Sequence, residues 1–177
     1  MIVLGIDPGT RHTGYGVLEV ARRTEKALDY GALDLSAKLP HPERLKRIYA
    51  EIERLIAAYG PDECAVEMPV YGQNAQSMLK LGRAQAAVML AAANHDVPVT
   101  QYTPKEVKKS VVGNGNAAKE QVWFMVRAQL GLTESRGLDA SDALAVALCH
   151  AHRVEQGPAG RFKDWKSYVA ANPGRVR

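Results

Sequence analysis

Cysteine is scarce in this chain. Only Cys64 and Cys149 are present, far apart and without metal-ligand spacing, which leaves no disulfide framework and reads as two buried thiols in a reducing compartment. Long apolar runs are missing too: the longest, around Ala84 to Ala93, is interrupted by Gln85 and is too short to span a bilayer. The opening MIVLGIDPGT lacks a basic leader with a small-residue cleavage site, so a soluble, cytoplasmic protein with no membrane partner is expected. Internal repeats are absent. Charge of one sign is not in strong excess, with 23 Lys and Arg against 19 Asp and Glu and a net charge of +4. That balance permits a polyanionic partner such as nucleic acid without requiring one. What remains is 177 residues, 46% of them apolar, enough for one folded domain with its own core.

The apolar pattern is that of an α/β protein. Ile2 to Ile6, Thr13 to Val20 and Tyr30 to Leu35 read as strands too close together for a crossover helix, hence antiparallel neighbours. Leu45, Ile48, Ile52, Leu55 and Ile56 mark one face of a helix that stops at Gly60-Pro61. Cys64 to Val70 and Pro98 to Tyr102 are short buried strands. Helices are expected over Asn74 to Asn94, Lys119 to Leu130 and about Ala140 to His152, and Lys105 to Ser110 also looks helical. The fold class is therefore α/β, with a mixed five-stranded sheet covered by helices on both faces. The domain is placed at residues 1–156, and residues 157–177, rich in Gly, Pro and basic side chains, are read as a loosely docked tail.

Four acids stand where acids are rare. Asp7 ends one apolar strand and Glu67 lies within another, AVEMPV, while Asp139 and Asp142 share one face at the start of the last helix. Each has a plain structural reading: an Asx turn before Gly9 for Asp7, a water-facing strand position for Glu67, helix capping for the pair. Together they suggest more. Clustered carboxylates cannot all ionise side by side without compensation, and the natural compensation is a hard divalent cation, Mg²⁺ or Mn²⁺. Two such ions about 4 Å apart can clamp a phosphodiester during hydrolysis, with Asp7 best placed to bridge them.

The segments GIDPGTRHTGYGV, AVEMPVYGQNAQSMLKLGRAQ, VKKSVVGNGNAAKEQV and DASDALAVALCHAH follow one another from Met1 to His152. In order and spacing they resemble the RuvC family of Holliday junction resolvases. The resemblance implies an RNase H-like fold and a homodimer that uses two Mg²⁺ ions per site, with Mn²⁺ as a substitute. It also implies symmetric paired nicks in four-way junction DNA during recombination and repair, with the RuvA and RuvB branch-migration proteins as partners. The four acidic positions of that family match Asp7, Glu67, Asp139 and Asp142, and two DNA-contacting lysines match Lys108 and Lys119.

The resemblance leaves some residues open. Lys119 also reads as a solvated first-turn lysine, and Lys80 and Arg83 either extend the DNA surface or are ordinary exposed positions. Some family members carry an aromatic wedge for the junction centre shortly after the glutamate: here Tyr71 takes that role one position along or Val70 occupies the slot, and Tyr71 also reads as a loop aromatic packed over its own strand. Gly113, Gly115 and Ala118 fit a G-x-G-x-x-A dinucleotide fingerprint, but the segment before them looks helical where that motif needs a strand. Two symmetric cuts need two sites related by a two-fold axis, and the Ala-rich helix with Ala84, Ala86, Ala87, Ala91, Ala92 and Ala93 is the expected interface unless it is a plain core helix. Two rival readings are a junction-binding protein without catalysis and an ATP-dependent enzyme of the actin-like fold. The latter needs a second large domain, which 177 residues do not supply.

Overall fold

The computed structural model describes residues 1–21, 24–69, 74–134 and 136–155; Val70, Tyr71 and the 157–177 segment lie outside them. The elements are β1 (Ile2–Asp7), β2 (His12–Ala21), β3 (Thr24–Asp34), α1 (His41–Tyr59), β4 (Glu63–Glu67), α2 (Ala75–Asn94), β5 (Val99–Tyr102), α3 (Pro104–Val112), α4 (Lys119–Leu130) and α5 (Leu138–Glu155). The sheet order is β3-β2-β1-β4-β5. β1, β2 and β3 are antiparallel, and β4 and β5 pair in parallel with β1 and β4 respectively, so the mixed sheet expected from the sequence is the one observed.

The differences lie at element ends. β3 begins at Thr24, six residues before its expected start. It is an edge strand whose Thr24, Lys26 and Leu28 side chains face outward, so apolar alternation hardly marks it. β4 ends at Glu67, before Pro69, which cannot donate to a ladder. α1 presents Ile48, Ile52, Leu55 and Ile56 to the core, and Gly60 ends it in the left-handed conformation at φ 55°. No helix among the described residues is long and apolar enough to cross a membrane.

Alternation sorts the strand side chains onto two faces. Leu4, Ile6, Val17, Cys64 and Val66 face α1 and α2, while Val3, Leu18, Val20, Ala65 and Tyr102 face α3, α4 and α5. Both cysteines are free and buried. The α5 face is unusual in its glycines. Gly5 pairs with Gly16, and Gly14 pairs with Asp7. A Cβ on Gly5 would run into the Ala143 carbonyl oxygen, one on Gly14 into the Asp139 carbonyl oxygen, and one on Gly16 would stand 2.8 Å from Leu144 Cδ2. These absent side chains let α5 lie directly on β1 and β2.

Two polar devices fix α5 along its length. Just before it, Arg136 stacks on the Tyr30 ring at 4.7 Å and donates to Asp29 Oδ1 and the Tyr30 carbonyl, each at 3.1 Å. Towards its other end, buried His150 lies with Nδ1 at 2.8 Å from the Tyr102 hydroxyl and Nε2 at 2.9 Å from Glu63 Oε2.

Candidate active site

The site grows out of strand register. Ile6 pairs with Val66, so the next residues, Asp7 and Glu67, stand side by side at the carboxyl ends of two central parallel strands. By alternation both belong to the α5 face. The glycines beneath α5 bring Asp139 over Gly14, next to Asp7, and Asp142 follows one turn later. A cavity of about 430 Å³ opens here, lined by Asp7, Glu67, Asp142, Lys108 and Lys119, with Leu81, Val107 and Val122 among its apolar walls.

Helix starts supply the cations. α3 begins with a capping box: Thr103 Oγ1 accepts from the Glu106 N–H at 3.3 Å, and Glu106 Oε2 accepts from the Thr103 N–H at 2.8 Å. Because Thr103 directly follows β5, α3 starts at the carboxyl end of the parallel strands and Lys108 reaches the cavity from its second turn. Lys119 is the first residue of α4, and its Nζ donates to Asp142 Oδ2 at 2.6 Å. That bond, ahead of the opposing effect of burial, holds the ammonium above its ordinary pKa. Lys119 is thus both an exposed first-turn lysine and a partner of Asp142 at the cavity.

The electrostatics are those of crowded carboxylates. Burial, then Asp142 and Asp139, push Asp7 from 3.8 to about 6, with Lys119 opposing. Burial, then Asp7 and Asp142, push Glu67 from 4.5 to about 8, against Lys119 and Lys108. Two lysines do not neutralise the acids around them. Among the described residues, no group of three or more His, Cys, Asp or Glu side chains is arranged as it stands to hold a metal ion, and Asp142 already gives one oxygen to Lys119. The chemistry of the donor set nonetheless suits a hard divalent cation: all oxygen ligands and negative charge still uncompensated.

Other expected residues fall as follows. Asp139 acts on Asp7 through its charge but does not line the cavity. Lys80 and Arg83 are exposed on α2, on either side of the cavity-lining Leu81. The dinucleotide fingerprint is excluded: helix α3 precedes Gly113, and Gly113 is that helix's left-handed cap at φ 82°. Sequence reasoning missed Gly5, Gly14 and Gly16; the signal was there in glycines two apart on one strand, opposite a glycine on its neighbour. Part of the α2 stripe also turns inward, since Ala84, Ala91 and Ala92 are fully buried in the chain's own core.

The family model for the crossover junction endodeoxyribonuclease RuvC matches residues 3–150. The chain belongs to the RuvC family. It is 55% identical to the RuvC crossover junction endodeoxyribonuclease of Salinibacter ruber, over 99% of each chain, and 44% identical to that of Porphyromonas gingivalis, over 99% of this chain and 97% of that one. Among solved structures it is similar to Thermus thermophilus RuvC in complex with a Holliday junction substrate, with a TM-score of 0.84 and 39% identity over 89% of this chain and 96% of the other. The yeast mitochondrial Holliday junction resolvase Ydc2, at 13% identity and a TM-score of 0.60 over 85% of this chain and 78% of that one, shares the fold.

Proposed function

We propose that this RuvC-family chain resolves four-way DNA junctions by symmetric paired nicks through metal-assisted phosphodiester hydrolysis, in recombination and DNA repair. The observation that carries the reading is the meeting of Asp7, Glu67 and Asp142 with Lys108 and Lys119 in one cavity at the carboxyl ends of β1 and β4. Asp7, Glu67, Asp139 and Asp142 would hold the cation, two Mg²⁺ ions with Mn²⁺ as a substitute. Bound there, the metal supplies an activated water and charge stabilisation at the phosphate. The chain's own residues do the rest. Lys119, kept protonated by Asp142, and Lys108, on the opposite helix, offer charge to non-bridging phosphate oxygens and fix the strand's register. The apolar walls at Val107 and Val122 limit water around the acids, which strengthens every charge interaction inside.

Symmetric cutting implies a homodimer. On α2, Leu79, Ala86 and Leu90 are exposed on one face. Beside it a shallow, mostly apolar groove is lined by Leu45, Tyr49, Ala87 and Leu90. This surface supports α2 as the dimer contact, with only the outward half of the alanine stripe available for it. RuvA and RuvB remain the partners that the family relationship suggests. A synthetic four-way junction labelled on each strand, incubated with Mg²⁺, Mn²⁺ or EDTA, tests the whole reading. Paired nicks on opposing strands, abolished by EDTA and absent on plain duplex, are expected; binding without cutting under every metal would favour a non-catalytic junction binder.

A further inference from the structure

We propose that His41, Arg44, Lys80 and Arg83 form a second phosphate site, which takes a backbone phosphate of a DNA arm on the opposite side of Asp7 from Lys108 and Lys119. The inference rests on the junction-DNA reading and goes beyond the catalytic cavity. Its first support is topological. β1, β4 and β5 are parallel, so the connecting helices α1 and α2 run back against them and both start at the strands' carboxyl ends. His41 is the first residue of α1, and Arg44, one turn on, donates from Nη1 to the Thr10 carbonyl at 2.9 Å, in the loop that leaves Asp7. Lys80 and Arg83 come from the second and third turns of α2, on either side in sequence of cavity-lining Leu81. The four basic groups thus lie on the α1–α2 side of the cavity, and Lys108 and Lys119 on the α3–α4 side.

The second support is unmet bonding capacity. His41 Nδ1 and Nε2 and Arg44 Nε are buried and have no hydrogen-bond partner. Buried polar atoms are rarely left so, because each forfeits its bonds to water. Around His41 stand cations: burial and then Arg44, Arg83 and Lys80 all press its pKa below the ordinary value. Glu43, the acid in the same turn, is exposed. The α1 N-terminus has no side-chain cap, so its first N–H groups are open to an acceptor. An oxyanion supplies what is missing, accepting from Arg44 Nε and from an imidazole that gains a proton as the anion arrives.

The experiment follows the histidine ring resonances of the full chain by NMR in EDTA, with His41→Gln identifying one of them, while inorganic phosphate and then duplex DNA are titrated. Duplex DNA should shift the His41 resonance and raise its pKa by one unit or more, and the response should shrink in Lys80→Gln and Arg83→Gln. For junction binding, the slope of log K against log salt should fall by about two in the Lys80→Gln/Arg83→Gln double variant, whereas Lys26→Gln, exposed on β3, should leave it unchanged. A His41 that answers to free phosphate but not to DNA overturns the DNA-arm assignment; a silent His41, or an unchanged slope in the double variant, overturns the site itself. Normal junction cutting beside a silent His41 would sink this inference alone. A His41 that responds to duplex in a chain that cuts no junction would sink the catalytic reading and keep the phosphate site.

Discussion

On one face of the sheet, Leu4, Ile6, Val17 and Val66 meet Ile48, Ile52, Leu55 and Val88, branched side chains filling a volume of ordinary depth. On the other, α5 meets β1 and β2 across Gly5, Gly14 and Gly16, and its own contact residues include Ala143 and Ala147. The first face obtains its stability from apolar area. The second gives up side chains to obtain proximity, and the proximity sets Asp139 and Asp142 beside Asp7. Removing volume from the first face therefore costs stability, and adding volume to the second displaces the acids it positions.

The largest effect that separates the faces comes from the acids. Asp7→Asn should lower junction cleavage about 10³-fold or more, since it removes a proposed metal ligand, while junction binding in EDTA persists; a variant that cuts at the wild-type rate would sink the catalytic assignment. Next comes Leu55→Ala, which should cost about 2–5 kcal/mol in chemical denaturation yet leave cleavage well below the melting point nearly intact. Gly5→Ala should cost at least as much, about 3 kcal/mol or more, because the new Cβ meets backbone atoms of α5, and it should impair cleavage more than Leu55→Ala at matched stability. Equal impairment in the two variants would erase the distinction between the faces.

A smaller effect depends on pH. Asp7 and Glu67 have folded pKa values raised to about 6 and about 8. The fold therefore favours their neutral forms: their contribution is fully present below pH about 4 and is lost as pH rises through 6 and then 8. In EDTA, wild type should lose about 1–3 kcal/mol relative to Glu67→Gln between pH 4 and 9, measured by denaturant midpoints. Mg²⁺ at high pH should reverse the difference, stabilising wild type more than the variant; parallel curves with and without metal would show that Glu67 does not take part in binding it. The smallest expected effect is on assembly. Leu90→Glu should weaken a homodimer on sedimentation without moving the monomer's unfolding midpoint by more than about 0.5 kcal/mol.

Much of this was legible from residues alone. β1, β4 and α1 announce themselves by apolar runs or a 3.6-residue stripe, and Asp7 and Glu67 are conspicuous as charges in apolar strands. Their adjacency was not legible, because it depends on β1 pairing with β4 in one register, and no local pattern encodes a long-range pairing. The glycines were passed over for a related reason: within a strand a glycine reads as a weak point, and only a helix pressed against it shows why a side chain is excluded. β3 was cut short because its outward positions at an edge give no alternation to follow. His41 and Arg44 carried no signal, since what marks them is bonding capacity left unmet after folding.

The clasp of Arg136 on Tyr30 and Asp29 ties the start of the last helix to a strand made early in the chain, and the bond between His150 and Tyr102 ties its far end to the last strand. These are contacts of large sequence separation, and closing such loops is slow compared with forming local helices. A growing polypeptide on the ribosome would hold Asp7 and Glu67 long before α5 emerges to cover them. Until it does, the two carboxylates lack their acidic neighbours Asp139 and Asp142, so the site is assembled last.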